Sequence, residues 1–139
     1  LFNTEARFAL PETQGRWLEV ANSDQVDRVI TSVRETLPSG GTSLYNAFYF
    51  LNELDSKPDN IFIITDGLPT QGKDTPRKNT VSGPARLKHY RDAISKLPTN
   101  VPVNVVLSPM EGDPMAASEF WKLAQNTGGS FMAPAEDWP

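Results

Sequence analysis

Residues 60–67 read Asn-Ile-Phe-Ile-Ile-Thr-Asp-Gly, and the unbroken run Ile61 to Ile64 shows neither the alternation of a half-exposed strand nor the spacing of a helix. Bounded by Asp66-Gly67, it predicts a strand over 60–65 buried on both faces of a parallel sheet. A second run, Val101 to Leu107, predicts another buried strand, and between the two Pro84 opens a helix reaching Lys96, with Leu87, Ile94 and Leu97 apolar. Pro114 begins a further helix to Asn126, Gly128-Gly129 stops it, and Ser130 to Met132 reads as a last short strand. Strand, helix, strand, helix, strand implies right-handed crossovers and an α/β three-layer sandwich, a mostly parallel central sheet flanked by helices.

Upstream of this unit, Ser43 to Leu54 predicts a helix with Leu44, Ala47, Phe48, Leu51 and Leu54 at core-facing spacing. Ser23 or Asp24 caps an earlier helix carrying Val26, Val29, Ile30, Val33 and Leu37 on one face, and Pro38-Ser39-Gly40-Gly41 ends it. Arg7 to Leu10 and Arg16 to Val20 read as two short strands of a hairpin. The segment from Leu68 to Gly83 is too long for a simple connector, and loops of that kind usually carry function or move.

Composition bounds the chemistry. The 139 residues, 38% hydrophobic and 22% charged, suit one domain spanning 1–139 with one core. With no Cys and one His, disulfides, Cys-ligated metals and thiol nucleophiles are excluded, which leaves hydroxyls, carboxylates and His89. No apolar run approaches the roughly 18 residues of a membrane span, so no membrane insertion is expected. The net charge of −4 hides a basic stretch within residues 71–100, Lys73, Arg77, Lys78, Arg86, Lys88, Arg91 and Lys96, which reads as loop and solvated helix surface. Only Tyr90 interleaves it, so no nucleic-acid partner is expected.

Ligands of open α/β sheets bind at the carboxyl ends of the strands, which singles out two clusters. In Ser39-Gly40-Gly41-Thr42-Ser43, two glycines let the backbone approach a ligand just before a helix, although the same residues also make an ordinary capped turn. In Thr65-Asp66-Gly67, a carboxylate leaves the strand beside hydroxyls, the makings of an oxygen-only site for a hard divalent cation, although Asp-Gly is also a common turn.

Together these clusters resemble the von Willebrand factor A-type domain, a Rossmann-like fold. Ser39 to Phe48 is similar to that family's threonine-bearing loop and following helix, and Ile63 to Thr70 to its aspartate-bearing loop. Trp121 to Ala124, followed by Thr127 to Phe131, resembles the closing helix, glycine turn and strand. The resemblance implies a metal-ion-dependent adhesion site for Mg²⁺, or Mn²⁺ or Ca²⁺, with Thr42 and Asp66 as metal ligands. It also implies a protein partner whose carboxylate completes the coordination. Its bacterial surface members point toward the cell envelope or another extracytoplasmic location, while the compartment itself stays open.

The family's Asp-x-Ser-x-Ser motif occurs nowhere in the chain. Residues 1–10 resemble the family's second strand, which implies an N-terminally incomplete domain whose first strand and helix lie upstream of Leu1. Two expectations follow. Metal binding by this chain is weak or absent, because one carboxylate offsets little of the cost of stripping a divalent ion's water. The sheet is repaired either by direct pairing of neighbouring strands or by strand exchange or a homo-oligomer. The leading function is a non-enzymatic protein-binding or adhesion module. The alternatives are a Mg²⁺-dependent phosphoryl-transfer or hydrolytic enzyme, disfavoured by the lack of Gly-Lys-Ser/Thr and of an acid–base pair, and a structural domain with a decayed site.

Remaining polar residues read as follows. His89 has no second His or Cys at ligand spacing and is expected at the surface. Asp74, Glu111 and Asp113 fall in loops on the ligand side and are the candidates for complementing the site, with ordinary loop surface the favoured reading of each. Trp17, Trp121 and Trp138 are expected to anchor edges.

Overall fold

In the computed structural model, which describes residues 1–13, 15–21, 23–75 and 80–134, three strands form one parallel sheet. They are β1 (Ile61–Thr65), β2 (Val103–Leu107) and β3 (Phe131–Met132), in spatial order β1-β2-β3. Register sets Ile61 beside Val103, Ile63 beside Val105 and Thr65 beside Leu107, so one face of the sheet is a block of β-branched and leucine side chains. Four helices accompany it: α1 (Ser23–Glu35), α2 (Leu44–Asn52), α3 (Gly83–Ile94) and α4 (Ala116–Thr127). The chain is therefore an α/β fold with a parallel sheet flanked by helices, a small version of the Rossmann-like sandwich.

The core lies where three of those helices meet the sheet. Leu44 and Phe48 of α2, Tyr90 and Ala93 of α3, and Ala116, Phe120 and Leu123 of α4 are buried with Ile61, Ile63, Val103, Val105 and Leu107 in one cluster. Each large side chain taken fully out of water contributes about 1.5–3 kcal/mol. Tyr90 and Phe120 meet edge to face at 5.3 Å, and the Tyr90 hydroxyl donates to the Glu119 carbonyl at 2.9 Å, so its polar end is satisfied inside the core. At Gly129 a Cβ would stand 2.0 Å from the Val103 carbonyl oxygen, so only glycine lets the chain leave α4 and reach β3 against β2.

Three expectations need correction. The hairpin over 7–10 and 16–20 does not form: the segment carries an isolated antiparallel bridge between Phe2 and Ala6 and a 3-10 turn over Pro11–Thr13. A two-stranded ribbon is marginal without a third strand, and here side-chain and backbone ties to helices replace one. Ser43 N–H donates to the Asn3 carbonyl at 2.8 Å, and Ser32 Oγ donates to the Ala9 carbonyl at 2.7 Å. The run at Ile61 to Ile64 is buried on one face only, with Phe62 72% and Ile64 75% exposed, because β1 ends the sheet and the core helices gather on the Ile61 and Ile63 side. No residue of α1 is buried, and Ile30 and Val33 of its apolar stripe face solvent, as does Leu37 just beyond the helix end. Among the described residues no helix is long and apolar enough to cross a membrane.

Candidate functional site

β1 delivers Thr65, Asp66 and Gly67 to its carboxyl end, and the turn there is held from three sides. Ser108 N–H donates to the Thr65 carbonyl at 2.9 Å and Met110 N–H to the Asp66 carbonyl at 3.2 Å. The Thr65 hydroxyl donates to the Gly67 carbonyl at 3.1 Å, closing a short side-chain turn of the kind Thr favours. The Asp66 side chain faces solvent, with no hydrogen bond or ion pair to it among the described residues.

The second cluster arrives from the start of α2. Ser43 caps this helix, its hydroxyl accepting from Asn46 N–H at 3.1 Å and donating to the Gly72 carbonyl at 2.7 Å. Thr42 N–H donates to Thr70 Oγ at 2.8 Å, while the Thr42 carbonyl accepts from Thr70 N–H at 3.0 Å and Gln71 N–H at 3.1 Å. The two loops are thus laced together. A Cβ on Gly41 would stand 2.7 Å from Gln71 Oε1 and 3.0 Å from Thr70 Oγ, so the glycine admits this close approach.

Thr42 and Asp66, 24 positions apart in sequence, line one open pocket of about 390 Å³ together with Phe2, Ile64, Thr65 and Ser108. Ser108 is a lining hydroxyl that sequence reasoning missed. Its position at the end of β2, directly after the residue paired with Thr65, was the available signal, since neighbouring parallel strands end side by side. A larger cleft of about 690 Å³ lies elsewhere, against α1, and is lined by Arg7, Arg28, Asp27 and Glu35. Those mixed signs favour no ligand charge.

The candidate complements of the site fall outside it. Asp113 is turned into the protein, where Oδ2 accepts from Leu68 N–H at 2.7 Å and lies 3.0 Å from Arg86 Nη2. This also corrects the solvated reading of Arg86, which is buried. Asp74 and Glu111 are not among the residues lining the pocket. His89 is half-buried on α3, and its pKa is held below the ordinary value first by burial and then by the Lys88 charge, against a smaller opposite pull from Asp92. Burial and the Glu119 carboxylate push the Tyr90 hydroxyl's pKa up. Trp17 lines an apolar groove beside β1 and Trp121 is exposed on α4, while Trp138, Arg77 and Lys78 lie outside the described residues.

For a hard divalent cation, the pocket's donors are right in kind: one carboxylate and hydroxyls of Thr42, Thr65 and Ser108, all oxygen. They fall short in charge, and among the described residues no group of three or more His, Cys, Asp or Glu assembles. Fold and pocket together define an α/β protein with a hydroxyl-rich, single-carboxylate pocket at the carboxyl end of its sheet. The chain matches no family model, no curated protein and no solved structure.

Proposed function

We propose that the chain is a non-enzymatic protein-binding module of the von Willebrand factor A type, whose contact centre is the Thr42–Asp66 pocket. The observation that carries this reading is the convergence of those two residues and Ser108 on one open pocket at the carboxyl end of β1. Asp66 and Thr42 would hold a Mg²⁺-class cation, which would supply the electrostatic attraction for a carboxylate of the partner protein. The chain's own part is to hold the donors in place: Thr70 and Gln71 fix the Thr42 backbone, and Met110 and Ser108 fix the turn at Asp66. Catalysis is the weaker reading, because among the described residues no His, Lys or second carboxylate lines the pocket to move a proton.

The test is cation-dependent capture. Partner protein recovered on the immobilised chain in Mg²⁺ is expected to be lost in chelator and in Asp66→Asn. Phosphatase turnover that Asp66→Asn abolishes would instead support an enzyme and sink the binding module.

A further inference from the structure

Residues 70–73 form a strap tied to the start of α2. Thr42 N–H donates to Thr70 Oγ at 2.8 Å, and the Thr42 carbonyl accepts from Thr70 N–H at 3.0 Å and Gln71 N–H at 3.1 Å. Ser43 Oγ donates to the Gly72 carbonyl at 2.7 Å and Asn46 Nδ2 to the Lys73 carbonyl at 3.2 Å. At Gly72 the strap also meets α3: a Cβ there would stand 3.0 Å from His89 Nδ1, 3.7 Å from Cε1 and 4.0 Å from Cγ, so the imidazole lies against the strap backbone.

Two features work against the closed strap. Gln71 is 1% exposed, and among the described residues neither end of its amide has a hydrogen-bond partner, so closure keeps dry two polar atoms that water would satisfy if the strap lifted. The His89 ring likewise has no hydrogen-bond partner among the described residues, so a proton arriving there gains no acceptor. Its pKa is held below the ordinary value by burial first and the Lys88 charge second. Asp92 pulls the other way, but its carboxylate is shared with Lys88, 2.7 Å away. Of the other elements, α2 brings no charge, only the phenols Tyr45 and Tyr49, and the strap brings Lys73, followed by Asp74, both exposed. Lifting the strap uncovers the ring, so the protonated ring favours the lifted state.

We infer that residues 70–73 are an acid-released latch: when the His89 imidazole takes a proton the strap lifts from the start of α2, Gln71 turns to water, and Thr42 loses its three hydrogen bonds to Thr70 and Gln71. Thr42 also lines the proposed contact pocket, so the latch would tie that pocket to pH, but the latch stands without the cation reading.

The test is amide hydrogen exchange of the 139-residue chain by NMR, each rate divided by that of an unstructured peptide at the same pH. Protection at the Thr42, Thr70 and Gln71 amides should fall about threefold or more between about pH 7.5 and 5.5. The fall should begin near the ordinary 6.5 and level off once the His89 imidazole resonances have titrated. Low urea should leave these amides unchanged while lowering protection at Val105 in the sheet, because lifting a short strap exposes little surface. In His89→Gln the pH profile should flatten. An imidazole that titrates while strap protection stays constant overturns the latch, a reading made on the unmodified chain and independent of how the variant folds. So does a profile unchanged in His89→Gln, or strap amides that share the urea dependence of Val105.

Discussion

Arg86 Nη2 lies 3.0 Å from Asp113 Oδ2, tying α3 to the loop before α4 with the two side chains only 10% and 4% exposed. Both groups also grip Leu68, Asp113 accepting from its N–H at 2.7 Å and Arg86 Nε donating to its carbonyl at 3.0 Å. Leu68 is two residues beyond Asp66. The pair therefore anchors the loop that carries the candidate cation ligand, and it does so from residues far apart in sequence.

Removing one partner strands the other charge out of water. Asp113→Leu should cost about 3–5 kcal/mol in urea unfolding, and Arg86→Met a similar amount, whereas the double variant should recover most of the loss. A single variant costing under about 1 kcal/mol would show that the pair is dispensable.

Gln71 is 1% exposed, and neither its Nε2 nor its Oε1 has a hydrogen-bond partner among the described residues. A buried amide left unpaired costs about 1–3 kcal/mol, so Gln71→Met, of similar length, should be neutral or stabilising. Gly41→Ala should go the other way by about 1–3 kcal/mol, because its Cβ would press on that side chain at 2.7 Å. Thermal unfolding of both variants checks the pair of signs, and a destabilised Gln71→Met would contradict the unpaired amide.

The parts of the fold legible in the sequence are those set by local pattern. Ile61 to Ile64 and Val101 to Leu107 announce strands because short apolar runs bounded by Pro, Asn or Gly have few other uses. Asp66 was legible as a site residue because ligands of α/β sheets bind beyond the carboxyl ends of the strands, whereas Thr42 was paired with it through the resemblance of its glycine-flanked loop to a von Willebrand factor A-type loop. What stayed hidden depends on the surroundings. Residues 7–10 and 16–20 have strand composition but no third strand to pair with, and Phe62 is exposed because of its place at the sheet edge rather than its own nature. Arg86 and Asp113 look like any surface charges until α3 and the loop before α4 are brought together.

His89 gives the stability a pH slope. Its folded pKa lies below the ordinary 6.5, so the unfolded chain takes up the proton more readily. The associated stability is full above the ordinary value and is lost as pH falls through the folded pKa. Urea midpoints should therefore drop between about pH 7.5 and 5.5, with part of that drop absent in His89→Gln. Parallel slopes for the two proteins would remove His89 from the account.

The pocket's donor set sets an upper limit on cation affinity. Among the described residues Asp66 is the one carboxylate lining it, and hydroxyls such as those of Thr42 and Ser108 offer dipoles rather than charge. Mg²⁺ gives up water reluctantly and commonly relies on one or two carboxylates plus anionic groups of its ligand. Calorimetric titration of the chain alone with Mg²⁺ or Mn²⁺ should give a dissociation constant on the order of a millimolar or weaker. Asp66→Asn should abolish the residual heat, and Thr42→Ala should reduce it, because removing the charge outweighs removing one hydroxyl. Micromolar affinity in the unmodified chain would mean that further donors reach the ion, contradicting the single-carboxylate site. Residual binding unchanged in Asp66→Asn would place the ion elsewhere and remove the centre on which the proposed partner contact depends.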